Sequence, residues 1–584
     1  MAHADSHASP SAASLPTPEL TIRAILTGML IGAALTPCNV YSGLKIGWSF
    51  NMSIAAGLLG YGLWQLGGSR VGARPWGILE NNINQTAASS AASIISGGLV
   101  APIPALTLLT GRALAWHWLA LWVFAVSILG VVVAAGLRNQ MLLRERLAFP
   151  AGVATAETMT RIHGHGREAL ARLRVLLGAA GVSAALKLLN DLVVAVPRFG
   201  PAFGLSGKAT LANLGFSLDP SLLMLGFGAI IGLRVGLSML FGAVFGWGLL
   251  APYVLAQGWA AAGDAAPQAA WFAPLVTWLL WPGVTLMVVA ALVSFGLSLL
   301  RLWRDRTKDA PPTFPARGQV VALAVCTALI VAVSAALFDI PVWQGVVAVA
   351  LSYVLAVVAA RVSGETGITP VGALGKVTQL TYGVLSPGNV ITNLMAANIT
   401  GGAAGQCADL MHDLKTGLLI GATPRFQIIA QSFGVATGAL AGSAVYLLLI
   451  PDPQDMLITA EWPAPAVATW KAVAEVLAGG LESVPPGALP AMGIAAAAGV
   501  ILAVLERLLP ERYARFVPSA PAIGLALVIP AWNAISLCLG ALLAAAAKQL
   551  TPSLAERHTM ALAAGLVAGE SLAGVALVAA GLLG

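Results

Sequence analysis

From Ile22 onward, long apolar stretches alternate with short polar ones. The apolar stretches repeatedly reach the roughly 20 residues that a helix needs to cross about 30 Å of hydrocarbon. Sixteen such spans are expected, eight between Ile22 and Leu300 and eight between Gln319 and Leu583. The fold class is therefore all-α, a polytopic integral membrane protein. Two spans, near 220–233 and 405–424, are short or polar, and the pattern leaves open whether they cross or are re-entrant. Residues 1–20, MAHADSHASPSAASLPTPEL, carry neither periodicity nor an apolar core. They read as a disordered cytoplasmic tail in which His3 and His7 are solvated. The expected organisation is this tail (1–20), a first transmembrane repeat (21–300), a basic cytoplasmic linker (301–318) and a second transmembrane repeat (319–584).

Composition agrees with the pattern, because a chain of 584 residues that is 58% hydrophobic and 9% charged cannot be wrapped as one soluble core. Cys38, Cys326, Cys407 and Cys538 are scattered through apolar context without CxxC spacing, so neither a disulfide framework nor a metal cluster is expected. A net charge of +7 does not point to nucleic acid here, since the basic residues fall between spans and act as orientation signals. Arg138, Arg144, Arg146, Arg161, Arg167, Arg172 and Arg174, and then Arg301, Arg304, Arg306, Lys308 and Arg317, place those segments in the cytoplasm. The segment from Pro451 to Leu489, with Asp452, Asp455, Glu461, Glu475 and Glu482 against Lys471, belongs outside. Sixteen crossings put both termini inside and give the two eight-span halves the same orientation, a parallel repeat.

Several stretches place polar groups at a depth where they are costly. SAASIISGG (Ser90 to Gly98) and LMAANITGG (Leu394 to Gly402) lie about half a chain apart and read as two copies of one polar interruption. TPCNVYSGLKIG (Thr36 to Gly47), with Pro37, Asn39, Tyr41 and Lys45, reads as a broken first span lining a cavity, or as a Pro kink with Lys45 reaching the interface. In ENNINQTAASSAASIISGG, Glu80, Asn81, Asn82, Asn84 and Gln85 could donate to and accept from a peptide backbone. Ser89, Ser90, Ser93 and Ser96 read rather as small residues that let helices approach. Glu365, Tyr382, Asn389, Asn393, Asn398 and Thr400 form the mirrored stretch. CADLMHDLKTGLLIGATPR (Cys407 to Arg425) puts Asp409, His412 and Asp413 on one helical face. They suit a proton relay, a carboxylate site or a structural ion-pair network, and no fourth ligand is in view for a metal. Substrate contacts are expected from Tyr41, Glu80, Asn81, Asn82, Gln85, Tyr382, Asn389, Asn393 and Asn398. The proton carrier is sought among Glu80, Glu157, Asp191, Glu365, Asp409, Asp413 and Glu570, with Lys187 one turn before Asp191 as its neutralising partner.

The chain resembles the oligopeptide transporter family, specifically its prokaryotic branch related to the yellow-stripe-like metal-chelate transporters. The resemblance rests on ENNINQTAASSAASIISGGLVAPIPAL, RERLAFPAGVATAETM, SPGNVITNLMAANITGGAAGQ and DLMHDLKTGLLIGATPR, and spans about Thr21 to Gly584. It implies sixteen spans and secondary active, proton-driven import of small peptides or metal chelates. The family's NPG and KIPPR motifs are matched only at Pro387, Gly388, Pro424 and Arg425, which puts in question the peptide specificity of the eukaryotic members. Asp413, Lys415, Pro424 and Arg425 form the cytoplasmic-end motif. An intramembrane enzyme would need a constellation the sequence lacks, there being no HExxH, no DDxxD and no glycine-flanked Ser with a matching His. A passive channel fits a large duplicated chain poorly. The expected partners are a small peptide or metal-chelate solute, protons and the bilayer, without cofactor or nucleic acid. The Arg-over-Lys bias suggests a bacterial inner membrane, and the oligomeric state stays open, a homodimer included.

Overall fold

The computed structural model describes residues 18–581, apart from 50, 69–71, 73, 165, 195, 201–208, 265, 267–268, 305–316, 368 and 370. Most of the expected tail, and the centre of the expected basic linker, therefore lie outside the described residues. The first half comprises α1 (Ile22–Ile46), α2 (Ser53–Leu66), α3 (Ile78–Ala92), a 3-10 turn (Ser93–Gly97), α4 (Pro102–Thr110), α5 (Trp116–Arg138), α6 (Pro150–Gly164), α7 (Gly166–Leu192), α8 (Leu222–Ile231), α9 (Leu233–Ala243), α10 (Ala251–Ala256) and α11 (Phe272–Arg304). After α12 (Arg317–Phe338) the second half comprises α13 (Val342–Thr366), α14 (Val371–Leu385), α15 (Val390–Ile420), α16 (Pro424–Leu449), α17 (Pro453–Met456), α18 (Pro465–Gly479), α19 (Ala488–Leu508), α20 (Glu511–Ala514), α21 (Ala520–Val528), α22 (Ala531–Leu550) and α23 (Pro552–Gly581). The protein is an all-α polytopic membrane protein. Among the described residues, twelve helical segments are long and apolar enough to span a bilayer, fewer than the sixteen expected.

The difference has local causes. At 31 residues α15 is one of the longest helices, yet it carries Asn393, Asn398, Asp409, His412, Asp413 and Lys415. It is enclosed by α3, α5, α13, α14 and α16, which shield this polar content from lipid. The stretch 405–424 is thus mostly the lower part of one helix, neither a separate crossing nor a re-entrant segment. With ten residues α8 rises only about 15 Å, half the hydrocarbon thickness. The chain then turns at Gly232 (φ 82°) into α9. The nine-residue α21, followed by α22, repeats this device in the second half. The first span is not broken. A continuous α1 runs through Pro37, and Thr36 Oγ1 donates to Gly32 O (2.8 Å) and Ala91 O (3.0 Å). The break lies in the third span, where GG at 97–98 and Pro102 separate the 3-10 turn from α4.

The halves correspond in order and approximate length: α1, α2 and α3–α4 to α13, α14 and α15, α5 to α16, and α8–α10 to α21–α22. Where the two copies of the polar interruption meet, they run antiparallel. Ser89 reaches Asp413 (3.0 Å), Ser96 reaches Gln406 (3.4 Å) and Gly98 lies against Asn398, so numbers rise along one segment as they fall along the other. A two-fold axis along the membrane normal would make equivalent helices parallel; the antiparallel crossing puts the axis across them, an inverted repeat rather than the expected parallel one. The single helix α12 inserted between the halves turns the second one over. It also separates the chain ends. Leu35 and Tyr41 of α1 pack beside Ala568 and Gly574 of α23 in the same direction, so the start of α1 and the end of α23 lie at opposite ends of the bundle, unlike the expected common side.

Candidate functional site

The interruption in the third span is fixed by local chemistry. Gly98 adopts φ 113°, a region that side chains avoid, and a Cβ there would sit 2.6 Å from Asn398 Oδ1. The 3-10 turn can therefore press against α15. Asn398 is held by the Trp122 indole, whose Nε1 donates to Oδ1 at 2.7 Å. Beside this junction opens a cavity of about 1070 Å³. Ser93, Ser96 and Val100 of the first interruption line it, as do Asn398, Gly402, Asp409 and His412 of α15, with Ser294 and Ser298 of α11 and Trp470 of α18 on other walls. Both copies of the interruption thus border one cavity, joined by Gly47, Trp48 and Ser49 just after α1.

Two carboxyl groups of α15 sit at this junction. Asp409 borders the cavity, as does Ser93. One turn further, the side chain of Asp413 is buried, accepting from Ser89 Oγ at 3.0 Å and Ser53 Oγ at 3.4 Å. Among the described residues Asp413 has no cation within 4 Å. Hydroxyls can donate to a carboxylate or accept from a carboxyl, so this shell can serve Asp413 with or without its proton. Between the two acids His412 borders the cavity, its Nε2 2.8 Å from Ser363 Oγ and its ring edge-on to Phe149.

Most of the other expected site residues face elsewhere. Glu80 is held by Arg23 (2.5 Å), Arg74 (3.1 Å) and Thr21 Oγ1 (2.7 Å) at the start of α3. Asn81 donates to Gly57 O of α2 (3.0 Å), and Asn82 accepts from Gln85 Nε2 (3.2 Å) within α3. Tyr41 lies against Trp462, Tyr382 donates to Gln344 O (2.5 Å), and Asn393 pairs with Gln379. Asn389 is exposed and caps α15 by accepting from Thr392 N (3.0 Å). Of the nine expected substrate contacts, Asn398 alone is among the cavity-lining residues. Glu157 is exposed 3.9 Å from Arg161, Asp191 pairs with Lys187 at 2.8 Å, and Glu365 is exposed. Glu570 caps α8, accepting from Ser221 Oγ (2.7 Å) and Leu223 N (2.8 Å). The cytoplasmic-end motif builds the corner between α15 and α16: Lys415 donates to Leu147 O (3.0 Å), Pro424 opens α16 and exposed Arg425 stacks on Phe426.

The comparisons with known proteins bear on this arrangement. The family signature described as OPT oligopeptide transporter protein matches residues 19–304 and again 301–580. The chain belongs to the oligopeptide transporter family. One similar protein, from Saccharomyces cerevisiae and named provisionally as an oligopeptide transporter, is 24% identical, covering 84% of this chain and 85% of its own. A metal-nicotianamine transporter of Arabidopsis thaliana is 23% identical over 95% of this chain and 92% of its own. The iron-phytosiderophore transporter yellow stripe 1 of Zea mays is 24% identical over 95% and 89%. Membership in this family makes the chain a membrane transporter and points away from an enzyme.

Proposed function

We propose that this chain is a secondary active, proton-coupled importer whose solute occupies the cavity beside the Gly98–Asn398 junction. The observation that carries the reading is the convergence of both polar interruptions on that cavity, with Asp409 on its wall and Asp413 one turn behind, held by Ser89 and Ser53. An inverted repeat with its site between the halves suits alternating access, because rocking one half against the other opens the site to each side in turn. A small oligopeptide is the solute we favour. A metal chelate is the second reading, supported by similarity to metal-nicotianamine transporters over 95% of the chain. The Arg-rich segments Arg138–Arg174 and Arg301–Arg317 orient the protein with its α1 start in the cytoplasm. The Arg bias and Ala/Gly-rich composition support a prokaryotic branch and a bacterial inner membrane.

Uptake into proteoliposomes tests coupling. With a proton gradient imposed, the protein should concentrate its solute; Asp413→Asn should abolish that accumulation while leaving solute exchange across the membrane measurable. Accumulation by Asp413→Asn at the parent level would remove Asp413 as the carrier, and accumulation indifferent to the gradient would remove proton coupling.

A further inference from the structure

Behind one wall of the cavity lies a cation that the proton pathway does not use. Lys376 of α14 is 3% exposed. Its Nζ donates to Gln379 Oε1 at 2.8 Å and stands 4.2 Å from the centre of the Trp470 ring, and no carboxylate among the described residues lies within 4 Å. Gln379 is itself tied into a neutral network, its Nε2 donating to Asn393 Oδ1 at 3.1 Å. The ammonium is therefore offset by an amide and a ring face alone, an expensive state for a buried charge. Trp470 borders the cavity, so the ring that meets Lys376 is also part of the wall of the space a solute would fill. Lys45 repeats the arrangement, bonded to Glu461 O at 2.6 Å and 4.5 Å from the Trp462 ring, two residues before cavity-lining Gly47. Two lysines from different halves, each beside a Trp of the segment around α18, flank the same region, and among the described residues neither has a carboxylate within 4 Å.

We propose that Lys376 is the specificity-determining cation of the site, selecting solutes that carry a free carboxylate. The solute's carboxylate supplies the counter-charge that the protein withholds, with the Trp470 ring moving aside to admit a direct ion pair. The inference rests on the proposed transport reading and narrows its solute to an anionic or zwitterionic carboxylate, a class that includes free peptides and carboxylate-bearing chelates. The neutral network around Gln379 fixes Nζ in place, so a guanidinium should keep part of the preference and an amide none.

The test compares the affinity of the purified full-length protein for trialanine and its C-terminal amide, and for a carboxylate chelate, iron(II)–nicotianamine, and its methyl ester. Wild type should bind the free acid of at least one pair tenfold or more tightly than its neutral counterpart. Lys376→Gln should bring the affinity for the acid down to that of the neutral compound, and Lys376→Arg should retain a preference. Equal affinities in wild type, binding of no acid at all, or an acid preference undiminished in Lys376→Gln would each overturn the proposal. The wild-type comparison stands even where Lys376→Gln fails to fold. Proteoliposome uptake separates the two readings: acid-selective binding without transport would sink the transport reading alone, and transport without acid selectivity would sink this one alone.

Discussion

At the scale of single residues, the sequence located polar groups correctly and often misjudged their partners. Glu80 stands among amides at membrane depth, and from the sequence alone it suits a proton carrier. The structure surrounds its carboxylate, 1% exposed, with nearby Arg74 and with Arg23 and Thr21, which lie too far back in the chain for a local pattern to announce the cluster. Breaking a buried ion pair by removing one partner costs about 3–5 kcal/mol, because the remaining charge is left uncompensated. Glu80→Gln should accordingly lower the melting temperature of the purified protein by several degrees, with the transport that survives still gradient-driven. Normal stability together with lost coupling would instead return Glu80 to the proton path. Lys376 was missed for the opposite reason. A lone lysine in VGALGKVTQLTYG looks like a snorkelling surface residue, and only the tertiary packing of Trp470 over it shows otherwise.

At the scale of elements, the junction of the polar segments was legible as two similar motifs, and the site of the helix break was not. Pro37 invites a break in α1, yet a proline in a helix enclosed by neighbours keeps its geometry when other groups engage the backbone around it, as Thr36 does here. The actual break needs three things at once, Gly97–Gly98, Pro102 and a facing α15, of which the sequence displays the first two. Close approach of α3 and α16 is a further requirement on small residues. A Cβ at Gly434 would lie 2.1 Å from Ala87 O. Gly434→Val should push the helices apart and destabilise the protein by about 1–3 kcal/mol or more, read as a lower melting temperature and reduced yield of monodisperse protein. A variant as stable as the parent would mean that α3 and α16 do not pack so closely.

At the scale of the whole molecule, hydropathy counts apolar length but cannot distinguish a full crossing from a half-length helix that turns back. An even count of sixteen put both chain ends on one side and so hid the inversion of the halves that the extra helix α12 brings. The charge pattern survives the correction. Gly136 of α5 packs against Gln319 of α12, which brings Arg138 and Arg317 to one end of the bundle, and the acidic segment after α16 lies at the other. The four native cysteines are buried, so they form a quiet background for labelling. Single cysteines at Leu481 and at Gly581 should react with an impermeant thiol reagent from outside intact cells, while cysteines at Arg167 and Glu19 should react only after permeabilisation. Labelling of Glu19 and Gly581 from the same side would refute the separation of the chain ends.

The antiparallel crossing of α3 and α15 has an energetic consequence. The alignment that sets Ser90 on Leu394 carries Asp409 onto Ala105 and Asp413 onto Leu109, so the acids at the junction exist in one half only. Turning such a molecule upside down leaves its backbone nearly unchanged while moving this acidic pair to the other side of the axis. The two end states of the cycle would then share almost the same packing energy, and their balance would hang on a handful of unlike side chains. A difference of that size is within the reach of one bound proton or one solute, since each needs to supply only a few kcal/mol of preference to tip the populations.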